Sequence, residues 1–299
     1  MYIYPPIDYI EPVFRPPSEA NSLILQVTNG CSWNNCTFCE MYTEPQKKFR
    51  PKSQADILDD IKRCAESLGA VRRVFLADGD AMALSFNRLK DILLAIKEHL
   101  PSVTRVSSYC LPRNLKKKTV EELAELQSLG LSLLYVGAES GNDQILAKID
   151  KGETFDSTVD ALLKIKAAGI KSSVMIINGM GGVNYSEQHA LDSARLVNET
   201  QPEYLATLVL FFRQGEAHFR KEFGDDFIKS SQLQLIQEMQ VLLSNLELEK
   251  TIFRSDHASN YLVLKGVLGR DKAKLLSMID GAINQDRSVF LRSDRQRGL

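Results

Sequence analysis

A chain of 299 residues with 44% hydrophobic side chains is long enough to bury a sizeable core, as one large domain or two small ones. Its 37 basic and 38 acidic residues nearly cancel, which argues against a nucleic acid or an anionic lipid held by overall charge and leaves only a local patch for such a partner. The opening "MYIYPPIDYIEPVFRPPSEA" has neither a basic start nor an apolar run, and no stretch approaches a membrane span, so a cytoplasmic protein with no membrane partner is expected.

Residues 1–20, with Pro5, Pro6, Pro12, Pro16 and Pro17, read as an extended arm. A first strand is predicted at "LILQVTN" (23–29), then a helix in "SQADILDDIKRCAESLG" from Ser53. Strands follow at 71–77, 103–109, 131–138, 170–177 and 204–212, separated by amphipathic helices starting near Phe86, Thr119, Thr154 and Ser186. Ser53, Thr119, Thr154 and Ser186 suit N-caps, and Gly69, Gly130 and Gly169 stand where helices should stop. Apolar strands alternating with helices predict an α/β fold with parallel strands, an incomplete (β/α)6 TIM-like barrel over residues 21–215; a doubly wound sheet is the alternative. Residues 216–299 are expected to form a mainly helical C-terminal extension. It would hold a helix at 230–247, the polar stretch "FRSDHASNYL" between two helices, a last helix from about Asp271 to Ile283, and a fraying polar tail.

Three of the five cysteines, Cys31, Cys36 and Cys39, follow the first strand in the spacing C-x4-C-x2-C. Clustered and odd in number, the cysteines suit reduced thiols better than a disulfide framework. In α/β proteins ligands gather at the carboxyl ends of strands. Structural zinc wants four closed ligands. His99, His189, His218, His257, Cys64 and Cys110 are all distant in sequence, so a zinc site needs a remote fourth ligand. A four-iron, four-sulfur cluster held by three thiolates would instead keep one iron open for a small molecule, whereas electron-transfer clusters usually take four.

With the aromatic Phe38 just before the third cysteine, and with the strand–helix rhythm around it, this loop resembles that of the radical S-adenosylmethionine (radical SAM) family over residues 20–215. The family's commonest spacing is C-x3-C-x2-C; the extra residue here lengthens the loop without removing a ligand. The resemblance implies a 4Fe-4S cluster with Cys31, Cys36 and Cys39 as metal ligands and SAM chelating the open iron. One-electron cleavage would then give a 5′-deoxyadenosyl radical that abstracts hydrogen from substrate. It also implies a one-electron donor such as flavodoxin or ferredoxin.

SAM contacts are implied in turn. After the second strand, where the family typically carries a Gly-Gly-Glu-like turn for the SAM ammonium, this chain has Asp78-Gly79-Asp80, with either aspartate as the carboxylate. After the fourth strand Glu139 matches the position that bonds the ribose hydroxyls. Lys151, about three helical turns on, matches a basic residue of the oxygen-independent coproporphyrinogen oxidase branch and would meet SAM's carboxylate. Phe38, Ser108 and Asn178 complete the cofactor-binding candidates. For the substrate side the candidates are Arg213 after the sixth strand and Asp256 with His257 as a proton-handling pair, with Arg113 also placed for a carboxylate. Tyr42, Lys47, Lys48 and Arg50 form a basic stretch that suits an acidic substrate or a reductase.

The leading expectation is a radical SAM oxidoreductase-like enzyme acting on a small-molecule or peptide-like substrate. A cluster- or haem-handling protein on the same fold is the alternative, and a zinc-stabilised nucleic-acid module is a third that the balanced charge disfavours.

Overall fold

In a computed structural model that describes residues 5–212, 214–286 and 288–297, strands and helices alternate along the chain. β1 (Leu23–Gln26), β2 (Thr28–Asn29) and β3 (Arg50–Pro51) precede α1 (Gln54–Ser67), β4 (Arg73–Ala77), α2 (Phe86–His99), β5 (Arg105–Tyr109), α3 (Val120–Ser128) and β6 (Leu131–Glu139). Next come α4 (Asp143–Lys148), α5 (Phe155–Ala167), β7 (Lys171–Asn178), α6 (Ser186–Thr200) and β8 (Tyr204–Val209). The remainder is α7 (Ala217–Phe223), α8 (Gln232–Ser244), β9 (Ile252–Ser255), β10 (Leu264–Val267), α9 (Leu268–Ile283) and α10 (Asp294–Arg297). Hydroxyl side chains start the helices by taking backbone N–H groups that have no helical acceptor. Ser53 Oγ accepts from Asp56 N at 3.1 Å, and Thr119 and Glu122 cap each other reciprocally at the start of α3.

The main sheet has the strand order β1-β4-β5-β6-β7-β8-β9-β10 and is mostly parallel; β2 and β3 pair separately. The fold is therefore α/β with a largely parallel central sheet, as the alternation of apolar runs and amphipathic helices predicts.

The chain divides into two compact units. One takes the chain up to Asn34, Met41–Val136 and Leu163–Ser172; the other takes Asn35–Glu40, Gly137–Leu162 and the chain from Ser173 onward. In the first unit β1, β4 and β5 run parallel, with Leu25 opposite Leu76 and Leu76 opposite Ser108. Leu25, Phe75, Leu76, Ile57, Ile61, Leu89 and Ile92 are almost fully buried there, each contributing about 1.5–3 kcal/mol of burial. In the second unit β7, β8 and β9 are parallel and β10 returns antiparallel to β9. An apolar cluster of Ile145, Leu146, Ile149, Ile177, Met180, Phe219, Phe223 and Phe227 packs beneath the loops.

Three expectations are corrected. The polar stretch 253–262 begins inside a strand, β9, and leads on to β10 rather than lying between two helices, because buried Phe253 and Ser255 alternate with exposed Arg254. The tail after Asp286 does not simply fray. Arg292 N donates to Tyr261 O at 2.9 Å, Arg297 Nε donates to Ser259 O at 2.8 Å, and the Arg297 guanidinium lies 3.8 Å from the Tyr261 ring centroid. Ser186 is the first residue of α6 rather than its cap, and its hydroxyl turns to Glu238. Among the described residues no helix is long and apolar enough to cross a membrane.

Candidate active site

In the first unit the entry to the cysteine loop is fastened at its base. Thr28 and Asn29 pair with Pro51 and Arg50, and Asn29 Nδ2 donates to Gln46 O at 2.6 Å and Lys48 O at 3.1 Å. Gly30 has φ +70°, and a Cβ there would sit 1.9 Å from Lys47 O, so only glycine lets the two backbones meet. The turn after β4 carries two aspartates with opposite fates. Asp78 is fully buried and ion-paired to the equally buried Lys47 ammonium, and Tyr42 Oη donates to its other oxygen at 3.1 Å. Asp80, also fully buried, takes the Ser32 hydroxyl on Oδ2, while its Oδ1 has no hydrogen-bond partner among the described residues. Burial pushes both carboxyls above the ordinary aspartate range, opposed at Asp78 by Lys47 and Tyr42 and at Asp80 by Ser32. Gly79 leaves room for the Tyr42 ring, which a Cβ would meet at 2.4 Å.

In the second unit the same loop docks on the segment after β6. Thr37 N donates to Ile149 O at 3.0 Å, Cys39 N donates to Cys36 O at 3.1 Å, and Phe38 packs against the apolar cluster. The Thr37 hydroxyl is buried without a hydrogen-bond partner among the described residues. Glu139 ends β6 with φ +64°, a left-handed conformation that costs a non-glycine residue about 1–2 kcal/mol. Its carboxylate accepts from Lys151 Nζ at 2.9 Å, with both groups buried. Burial by itself would lower the Lys151 ammonium pKa. The Glu139 carboxylate and then the Cys36 and Cys39 thiolates outweigh it and hold the pKa above the usual lysine range.

Cys31, Cys36 and Cys39 are half-buried thiols, whereas Cys64 and Cys110 are buried. Among the described residues no group of three or more Cys, His, Asp or Glu side chains is arranged around one metal ion. A cube needs no such convergence, because each thiolate binds a different iron. Three thiols on one nine-residue loop are the donor set an iron–sulfur cube takes. Within the first unit the orphaned, buried Asp80 Oδ1 suits a polar atom of a bound cofactor.

The other sequence candidates are placed as follows. Ser108 Oγ is spent on Leu76 O at 3.1 Å and Tyr109 O at 3.0 Å, inside the sheet. Asn178 Nδ2 anchors α8 through Leu235 O at 2.9 Å. Asp256 pairs with Lys265 at 2.8 Å, and His257 Nδ1 meets Ser259 Oγ at 2.9 Å. Arg113 stacks over the Trp33 ring at 3.8 Å. Arg213 lies outside the described residues. Tyr42 and Lys47 are buried and do not belong to a surface patch. Sequence reasoning missed Ser32, and it missed Lys118, a buried lysine in the run "KKK" whose Nζ donates to Met82 O at 2.9 Å and Asn114 O at 3.2 Å. It also passed over the buried Glu238 and weighed the buried His189 only as a remote zinc ligand, since neither carried a motif.

A largely parallel α/β sheet with a three-thiol loop straight after its first strand defines a class of cluster-dependent enzymes. The Radical SAM superfamily model matches residues 25–194, more than half of the chain, and the chain belongs to that superfamily, whose members are enzymes that use a 4Fe-4S cluster and SAM. It is 28% identical over 172 residues to 4′-phospho-dehydrooxetanocin synthase of Priestia megaterium, covering 52% of this chain and 23% of that one. It is 25% identical over 261 residues to the tRNA-2-methylthio-N(6)-dimethylallyladenosine synthase of Psychrobacter cryohalolentis, covering 83% and 50%. The chain thus spans half or less of those relatives' lengths. Among solved structures, coproporphyrinogen III oxidase (HemN) from Escherichia coli superposes with TM-score 0.57 at 17% identity, covering 75% of this chain and 52% of that one. Methylornithine synthase (PylB) gives 0.51 at 17%, covering 76% and 63%. These likenesses show the fold, that of partial TIM barrels.

Proposed function

We propose that this chain cleaves SAM reductively and uses the radical to abstract hydrogen from a small-molecule or peptide-like substrate, with flavodoxin or ferredoxin as the electron source. Cys31, Cys36 and Cys39 would hold the 4Fe-4S cluster, which when bound supplies the electron for that cleavage. The observation that carries the reading is the docking of the thiolate loop onto Ile149, two residues before a buried Lys151 that is paired to Glu139 at the end of β6.

In this reading Asp80, rather than Asp78, accepts the SAM ammonium through Oδ1, because Lys47 and Tyr42 already occupy Asp78. Glu139 accepts the ribose hydroxyls, and Lys151 offsets the SAM carboxylate while holding Glu139 in place. Phe38 keeps the loop dry by packing inward.

Asp80→Asn is expected to weaken SAM binding to the reconstituted protein at least about tenfold, the loss of one charge-assisted hydrogen bond. Thermal stability should hold or rise. A buried carboxyl whose pKa is raised in the folded state contributes stability below its unfolded pKa and loses it as pH climbs through the folded one, so at neutral pH removing the charge removes a cost. Equilibrium SAM binding with a parallel melting curve checks both, and SAM affinity equal to the parent's would sink the Asp80 assignment.

Gly137 gives a second test. A Cβ there would lie 2.0 Å from Glu139 Oε1 and 3.4 Å from Lys151 Nζ. Gly137→Ala should leave the strand intact and swing the carboxylate out of place, so the Michaelis constant for SAM rises about tenfold or more. A parent-like value would show that Glu139 does not need this position.

A further inference from the structure

We infer that His189 is a positioning residue that holds the Glu139 turn in its strained, SAM-facing form; the inference rests on the ribose role proposed for Glu139. The case starts from the backbone. A glutamate at φ +64° persists only where its surroundings over-determine it. The three residues after it are each pinned. Ser140 Oγ meets His189 Nδ1 at 2.8 Å and accepts from Asn142 N at 3.0 Å, and Gly141 N donates to Ser193 Oγ at 3.0 Å. Asn142 Nδ2 donates to Asp192 Oδ2 at 2.7 Å. A Cβ on Gly141 would stand 2.2 Å from Asp192 O, so α6 lies hard against the turn.

His189 links this turn to the next one. Its Nε2 lies 3.0 Å from Ile177 O, which can only accept, so the proton sits on Nε2 and Nδ1 is left to accept the Ser140 hydroxyl. Asn142 N–H, Ser140 O–H and the imidazole therefore form one directed chain ending on β7. Glu238 lies 3.8 Å from Nε2 and accepts from Gly179 N and Ser186 Oγ at 2.6 Å each, which fastens the turn after β7 to α6 and α8. Ser140, His189 and Glu238 are all nearly fully buried. Three polar side chains inside an apolar unit are costly unless every bond is made, and the bonds made here converge on the two turns that end β6 and β7.

A merely structural histidine would, when replaced, lower stability and leave SAM affinity alone. The test reads the two separately. His189→Phe, His189→Asn, Ser140→Ala and Glu139→Ala are each reconstituted anaerobically with iron and sulfide. Iron content, the urea midpoint and the SAM dissociation constant without reductant are then measured. Positioning predicts that His189→Phe and Ser140→Ala weaken SAM binding about tenfold at parental iron content. His189→Asn, which keeps an amide within reach of Ser140, should recover most of the loss. Parental SAM affinity in Ser140→Ala and His189→Phe, alongside weakened binding in Glu139→Ala, overturns the positioning role alone. Parental affinity in Glu139→Ala overturns the ribose reading and this inference with it. Should His189→Phe fail to fold, Ser140→Ala, which removes a single buried oxygen, still decides.

Discussion

Replacing Cys36 with alanine is expected to reduce iron and sulfide in the reconstituted protein to background and to abolish 5′-deoxyadenosine formation under reductant. The two residues that follow Cys36 cannot take its place on the iron, because Thr37 and Phe38 face inward and offer a hydroxyl and a ring rather than a soft donor. The fold itself should survive. Thr37 N keeps its bond to Ile149 O, and Phe38 keeps its place against the apolar cluster, so the unfolding free energy from urea titration is expected to fall within about 1 kcal/mol of the parent apoprotein. Cys64→Ala is the matched control. That thiol is buried in α1, pushed up to about 11 chiefly by burial, and its loss should leave iron stoichiometry unchanged. A Cys36→Ala protein that retains iron and still cleaves SAM would refute the ligand assignment. A parent protein that takes up zinc in place of iron would return the site to the structural-metal reading.

Much of this was legible from residue order, and the limits were physical. All six strands expected between 23 and 212 form, and Gly130 and Gly169, at φ +114° and +74°, part α3 and α5 from the strands β6 and β7 that follow them. Glu139 and Lys151, twelve residues apart, could be named from the resemblance, and they meet at 2.9 Å. The pairing of Lys47 with Asp78 was not legible. Lys47 sits in "QKKFRPK", where one lysine turns inward while Lys48 stays exposed, and only the tertiary fold distinguishes them. The same holds for Lys118 among Lys116 and Lys117. His189 and Glu238 lie 49 residues apart on two amphipathic helices, Glu238 as the one polar residue among the buried ones of α8 and His189 beside Ser193 and Thr200 on the buried face of α6. Such a pattern predicts nothing until α6 and α8 are brought together. β9 and β10 escaped for a different reason: four residues each are too few for alternation to stand out from the polar loop between them.

Lys47→Met is expected to cost about 3–5 kcal/mol of folding stability, because it leaves the Asp78 carboxylate buried without its counter-ion. Lys47 and Asp78 are both completely inaccessible, so water cannot replace the lost charge, and Tyr42 Oη and Gln26 Nε2 supply hydrogen bonds but no compensating charge. The sign of the pH dependence follows from the raised carboxyl. Burial already lifts Asp78 above the ordinary range, against the pull of Lys47, and removing Lys47 lifts it further. The folded mutant then holds its proton to higher pH than the unfolded chain does. Its deficit should be greatest at neutral pH and above and should shrink as the medium is acidified toward the unfolded aspartate pKa. Urea unfolding at several pH values checks this, and adding Asp78→Asn to Lys47→Met should recover much of the loss by removing the stranded charge. A deficit that stays constant with pH, or a double variant no better than the single one, would mean that the lysine acts through its bond to Ile10 O and its packing rather than through Asp78. Asp80 provides the contrast within the same turn. Burial outweighs the pull of Ser32, Asn114 and Lys118 on its charge, and among the described residues no ammonium is paired to it as Lys47 is to Asp78, so its replacement should leave the fold at least as stable while SAM binding weakens. Two carboxylates two residues apart would thus be separated into one that holds the turn and one that the turn presents.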